Sequence, residues 1–220
     1  MFVDFHIRIG TSDQGKSLCA LYKSAMRQLD YPIDLVFNIG TISNDFSAYD
    51  AAGNMVAYVR QRMFKLKEHI EVFEDESKKN LIYKIQADRW LDFSASYSFY
   101  DVYGDYLGRI ARQGMRSLWK ASYDIMDHED QSIYRIEEEN PWIKALDGLF
   151  GDIPLVGNYI FNPTYLITAG YEEIIARLRK EPSLFGQKFT VYNKVDISPD
   201  HGEVMMLGVM MMVLLERRRG

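Results

Sequence analysis

Residues 10–17, Gly-Thr-Ser-Asp-Gln-Gly-Lys-Ser, fill the pattern G-x-x-x-x-G-K-[ST] at every position. In a nucleotide site the backbone N–H groups of such a loop cradle phosphates. The lysine reaches the β and γ groups, and the hydroxyl holds magnesium. An alternating run, FVDFHIRI, precedes it and a helix-compatible run, SLCALYKSAMRQL, follows. Gly15, Lys16 and Ser17 are therefore candidate nucleotide-binding residues of a hydrolase or kinase. That chemistry requires a parallel α/β sheet behind the loop and an acidic residue at a strand end for the metal.

Two basic stretches offer a different chemistry. YVRQRMFKLKEH holds Arg60, Arg62, Lys65 and Lys67, and GRIARQGMRSLWK holds Arg109, Arg112, Arg116 and Lys120. On a strand, alternate residues share a face, which groups Arg60 with Arg62 and Lys65 with Lys67. Such a face suits a phosphoinositide-like ligand or an anionic lipid surface, at roughly 1 kcal/mol per basic side chain. The plainer reading is a solvated strand face whose lysines discourage edge pairing. Other chemistries find less support. His6, His69, His128 and His201 fall in separate units without metal spacing, and His201 beside Asp200 reads as a turn residue. The single cysteine, Cys19, excludes a disulfide framework within the chain and a cysteine-based zinc site. Ser117 has no G-x-S-x-G context. Trp90, Trp119 and Trp142 read as packing residues. The expectation is a non-enzymatic protein with no metal or cofactor.

The elements that must position these residues are read from the whole chain. Its 220 residues suit one large domain plus an extension, and 47% are hydrophobic, enough for a sizeable core. The 15 tyrosines and 12 phenylalanines favour strands. A net charge of -5 gives no general attraction to nucleic acid, so a basic patch must be local. The N-terminus lacks the apolar core of a secretory signal. The apolar run VMMLGVMMMVLL (204–215) is shorter than the roughly 20 residues that span a bilayer. A cytoplasmic chain without a transmembrane span, touching a membrane at most peripherally, fits these features.

A repeat runs through the middle. FSAYDAAGNMVAYVRQ, IEVFEDESKKNLIYKIQ, YSFYDVYGDYLGRIAR and YDIMDHEDQSIYRIEE each give an alternating run ending in Asp, a polar turn, and a second alternating run. Asp50, Asp75, Asp101 and Asp127 recur 25, 26 and 26 residues apart. Each unit reads as a β-hairpin with one face on a core. The aspartates read as turn residues whose carboxylates accept backbone N–H bonds, in preference to a calcium or catalytic array. IDLVF (33–37), NYIFNPTYLITA (158–169) and QKFTVYNKVDI (187–197) add strands, and residues 141–150 a short helix. The total is on the order of 10–12 strands.

VMMLGVMMMVLL has no polar face, and a helix apolar all round is buried all round. In a mostly β chain, the place that surrounds a helix is the inside of a closed barrel. Gly208 lets one strand approach. Ser198, Pro199 and Asp200 supply start signals, and Glu216 to Arg219 end the run with positive charge.

The order of these parts resembles the LURP-one-related family of the tubby C-terminal-like superfamily, which also holds the phospholipid scramblases. The resemblance rests on NDFSAYDAAGNMVAYVRQRMFKLKEHIEVFEDE, YSFYDVYGDYLGRIARQGMRSLWKASYDIMD, EENPWIKALDGLF and MMLGVMMMVLLERRRG, and covers roughly residues 30–220. It implies a closed antiparallel β-barrel of about 12 strands around a central hydrophobic C-terminal α-helix. Tubby-type relatives bind phosphoinositides at membranes and scramblase types are linked to lipid movement, so an anionic lipid partner is the expectation. None of their binding residues can be carried over by match. Residues 1–29 read as an N-terminal extension to a barrel domain over 30–220, with Met26 a candidate native start.

Overall fold

In the computed structural model, the described residues are 29–38, 44–62, 69–88, 96–113, 122–139, 162–170, 173–182 and 187–217; of Arg62 only the backbone is included. They form twelve strands and one helix. The strands are β1 (Ile33–Phe37), β2 (Phe46–Tyr49), β3 (Met55–Arg62), β4 (His69–Phe73), β5 (Leu81–Ala87) and β6 (Ser96–Asp101), followed by β7 (Tyr106–Arg112), β8 (Ser122–Met126), β9 (Ser132–Glu138), β10 (Thr164–Ala169), β11 (Glu173–Glu181) and β12 (Lys188–Asn193). The helix α1 spans Pro199–Arg217. Each strand pairs antiparallel with its neighbours in sequence, and β1 pairs with β12 to close the barrel.

The four repeats are the hairpins β2–β3, β4–β5, β6–β7 and β8–β9. Their aspartates cap the turns. Asp50 Oδ1 accepts from the Asn54 amide at 2.8 Å and Asp75 Oδ1 from Ser77 at 2.7 Å. Asp101 Oδ1 accepts from both Tyr103 and Asp105 at 2.9 Å, and Asp127 Oδ1 from Glu129 and Gln131 at 2.9 Å. Three residues after each aspartate the backbone turns left-handed: Gly53 (φ 82), Lys78 (φ 58), Gly104 (φ 90) and Asp130 (φ 60). The register of each hairpin shifts by one residue beside the turn. A turn closed by a left-handed residue and a bulge is how a longer loop keeps the right-handed strand twist.

Alternation places Ile33, Leu35 and Phe37 inward on β1, and each strand adds its share to one core. The barrel encloses α1, whose residues from Gly202 to Leu214 are all buried. Ser198 is the capping residue, its carbonyl accepting from the Gly202 amide at 2.8 Å, and Asp200 lies in the first turn. His201 sits on this first helical turn, edge-on to the Tyr134 ring at 6.0 Å, where the sequence reading places it in a turn. A Cβ at Gly208 would lie 2.5 Å from Ile125 Cδ1, so glycine there lets the helix touch β8. Gly108 (φ 150) does the same for β7, since a Cβ would meet the Met126 carbonyl oxygen and Val204 Cγ1.

β10 begins at Thr164 and β12 ends at Asn193, so both are shorter than the runs read from sequence. β11 is a strand the sequence reading does not name. The short helix expected over 141–150, the three tryptophans, His6, Cys19 and the whole GTSDQGKS segment lie outside the described residues.

Candidate functional site

Antiparallel alternation gives the barrel two distinct ends. All four repeat turns and the start of α1 lie at one end, the turn pole. The end of α1 and the outer ends of β3, β7 and β11 lie at the other, the mouth pole. The charges follow this division. The repeat turns carry Asp50; Glu74, Asp75 and Glu76; Asp101 and Asp105; and Asp127, Glu129 and Asp130, against only Lys78 and Lys79. Toward the mouth pole, arginines and lysines alternate with carboxylates, as in Arg177, Arg179, Glu181 and Lys188. Lys65, Lys67, Arg116 and Lys120 of the two basic stretches lie outside the described residues.

The sequence-derived candidates separate on this frame. Arg60 is on the outer face of β3 and half-buried, between inward Val59 and Gln61, with Glu71 opposite it on β4. Arg62 ends β3 opposite His69. Lys65, Lys67, Gly15, Lys16 and Ser17 lie outside the described residues. Arg109 is on the outer face of β7, where its Nε lies 3.1 Å from Asp130 Oδ1. Asp130 also accepts the Tyr106 hydroxyl at 2.7 Å. Arg112 has the parity of inward Ile110, and so turns into the mouth. Its Nε is buried without a hydrogen-bond partner among the described residues. Three strands separate β3 from β7, so Arg60 and Arg109 stand roughly 20 Å apart around the wall at strand spacing. Arg60 and Arg109 thus do not share one patch of the wall.

Inside the mouth, a polar cluster closes the core. Glu216 near the end of α1 accepts from the Tyr123 hydroxyl at 2.7 Å and the Tyr165 hydroxyl at 3.2 Å. Burial first, and then the Glu216 charge, push both phenols far above the ordinary tyrosine value. The Arg217 guanidinium lies over the Phe37 ring at 4.3 Å. Glu138 is also buried here, opposite Tyr165. This constellation anchors the helix end to β1, β8 and β10.

On the outer wall nearby lies a second arrangement that the sequence reading misses. β11 presents Arg177 and Arg179 on one outer face, with Tyr192 opposite Arg177 and Thr164 opposite Arg179. With Glu139, Asn162 and Pro182 these residues line a depression of about 560 Å³. Arg177 Nη2 lies 3.3 Å from Glu139 Oε1, while its Nε is buried with no partner among the described residues. Arg179 Nε stands 3.8 Å from Glu181 Oε2, and the Tyr192 hydroxyl donates to Glu181 Oε1 at 3.2 Å. The legible signal was the spacing of two in Ala-Arg-Leu-Arg-Lys (176–180), once that run is taken as a strand.

No group of His, Cys, Asp and Glu among the described residues is arranged to hold a metal ion. No described helix is long and apolar enough to cross a membrane. The class these features define is a closed antiparallel barrel wrapped around a buried C-terminal helix. The LURP-one-related family model matches residues 55–215, and the chain belongs to that family. No curated protein matches it. Among solved structures it is similar to the X-ray structure of a protein from Arabidopsis thaliana. The identity is 15% and the TM-score 0.47, over 86% of this chain and 95% of that one.

Proposed function

We propose that this chain is a non-enzymatic binding protein that rests its mouth pole against anionic lipid headgroups, peripheral to a membrane on the cytoplasmic side. The carrying observation is the division of charge. Carboxylates outnumber cations at the four repeat turns, whereas at the other end arginines and lysines are interspersed with carboxylates. An anionic surface repels the acidic turns and leaves the mixed end, with its exposed cations, to meet it, so it orients the barrel before any specific contact forms. Lys65 and Lys67 are candidates from sequence alone, and Arg60 and Arg62, toward the far end of β3, belong to that end. Arg109 does not, because it is tied to Asp130 of an acidic turn. Arg112 has inward parity on β7, so it is not part of an outer basic face.

The test is co-sedimentation with phosphatidylcholine vesicles, with and without phosphatidylserine, at low salt. The protein should pellet with the anionic vesicles only, and Arg60→Glu with Arg62→Glu should release it. Failure to pellet, or indifference to charge reversal, refutes the reading. The competing nucleotide-enzyme reading needs a parallel sheet, and every described strand pairing is antiparallel. ATP binding abolished by Lys16→Ala would restore it. A purely structural scaffold would ignore vesicles and nucleotides alike.

A further inference from the structure

We propose that the depression between β10, β11 and β12 is a binding site for a phosphorylated polyol, a class shared by sugar-type lipid headgroups and soluble sugar phosphates. This rests on the reading that the barrel binds anionic ligands, and adds to it a built pocket with its own chemistry. The pocket has a cationic corner and a hydroxyl-binding corner.

The cationic corner is the Arg177–Arg179 pair. Alternate residues on a strand stand roughly 6.6 Å apart, close enough for two guanidinium groups to share one phosphate. Their present partners hold them loosely. The Arg177–Glu139 contact is 40% and 38% exposed, and Arg179 reaches Glu181 only at 3.8 Å. Exposed pairs of this kind contribute little. Arg177 Nε, buried without a partner among the described residues, is a donor whose desolvation an incoming anion would offset. Guanidinium donors in a fixed fork match phosphate oxygens two at a time.

The other corner selects more than charge. Glu139 can accept hydroxyl hydrogens, and Asn162 and Thr164 bring an amide and a hydroxyl. Tyr192, 42% exposed, offers a ring face beside them. A bare phosphate would leave this side unused and would meet the nearby carboxylates of Glu139 and Glu181. A polyol on the phosphate converts those carboxylates from repelling groups into acceptors. The volume of about 560 Å³ suits a six-carbon ring bearing one phosphate better than an ion alone.

The experiment titrates the full chain by calorimetry with myo-inositol 1-phosphate, inorganic phosphate and myo-inositol. A parallel arm compares phosphatidylinositol with phosphatidylserine vesicles. The inositol phosphate should bind at least about tenfold more tightly than either half-molecule. Arg177→Ala and Arg179→Ala should each weaken it about tenfold with an unchanged melting temperature, while Arg60→Glu leaves it intact. If phosphatidylinositol vesicles then compete with the soluble compound, the site takes a headgroup. If they do not, it takes the free phosphate. No binding of either form, or binding indifferent to both arginine variants, overturns the proposal. Phosphatidylserine vesicles that bind in an Arg60-dependent way while the pocket stays empty would sink this site and leave the surface reading standing.

Discussion

Lys78 and Asp130 occupy the same backbone position as Gly53 and Gly104, three residues past a repeat aspartate, and all four have positive φ. Glycine adopts that conformation without steric cost, whereas a side chain pays roughly 1–2 kcal/mol. A Cβ at Gly104 meets nothing within 4 Å, so only the backbone term remains. Gly104→Ala should therefore lower unfolding free energy by about 1 kcal/mol in urea, without altering the circular dichroism of the native state. The capping carboxylates add a pH dependence. The Asn54 side-chain contact, chiefly, holds Asp50 below the ordinary carboxylate value, and the Ser77 hydroxyl does the same for Asp75. A depressed folded value means stability that is present above the unfolded value and lost as pH falls through the folded one. Acid titration of the melting temperature should show a decline below about pH 4, reduced in Asp50→Asn with Asp75→Asn. The turn role of these aspartates was legible because type and spacing agree in all four repeats and Gly53 and Gly104 follow two of them. The facing of Arg112 was not. One residue of strand parity decides whether it faces the outer wall or the barrel interior, and parity is fixed by register with β8.

Between elements, the C-terminal helix is held at its middle and at its end by different physics. At its middle, Gly208 accepts the Ile125 side chain at a distance no Cβ allows. Gly208→Ala gains about 1 kcal/mol of helix propensity but overpacks the β8 contact, typically costing about 1–3 kcal/mol. The net loss should shrink when Ile125→Val is added, a non-additivity measurable in a double-mutant cycle. At the mouth, Glu216 satisfies two buried phenols. Glu216→Ala leaves both without that acceptor and should cost about 2–4 kcal/mol, whereas Glu216→Gln, which keeps an acceptor, should cost less. In an alkaline titration followed by tyrosinate absorbance, Tyr123 and Tyr165 should ionise only with unfolding. Their raised folded values stabilise the native state fully below the ordinary tyrosine value, and that stability drains away as pH climbs above it. The hairpins were readable because their alternation recurs on both sides of a repeated turn, and α1 because its run is apolar on every side. β11 was hidden because Glu-Ile-Ile-Ala-Arg-Leu-Arg-Lys-Glu uses strong helix formers. Its alternation is also broken at buried Ile175 and Ala176, beside the bulge at Ile167 and Thr168. With β11 went the pairing of Arg177 and Arg179.

For the whole molecule, antiparallel topology does the sorting. A strict up-and-down barrel sends every repeat turn to one end, so residues 25 or 26 apart in sequence become one acidic pole in space. The sequence shows the acids and the period but not that the period has this consequence. An oriented charge distribution predicts binding that weakens as salt rises, since exposed charges are screened over about 10 Å at 0.1 M. The most direct test reads the orientation itself. With Cys19→Ser as background, an environment-sensitive fluorophore is placed by Lys188→Cys toward the mouth pole or by Glu76→Cys at the turn pole, and phosphatidylserine vesicles are added. The account predicts a blue shift from the label at 188 and none from the label at 76. A shift at 76 alone, or at neither position, would contradict it.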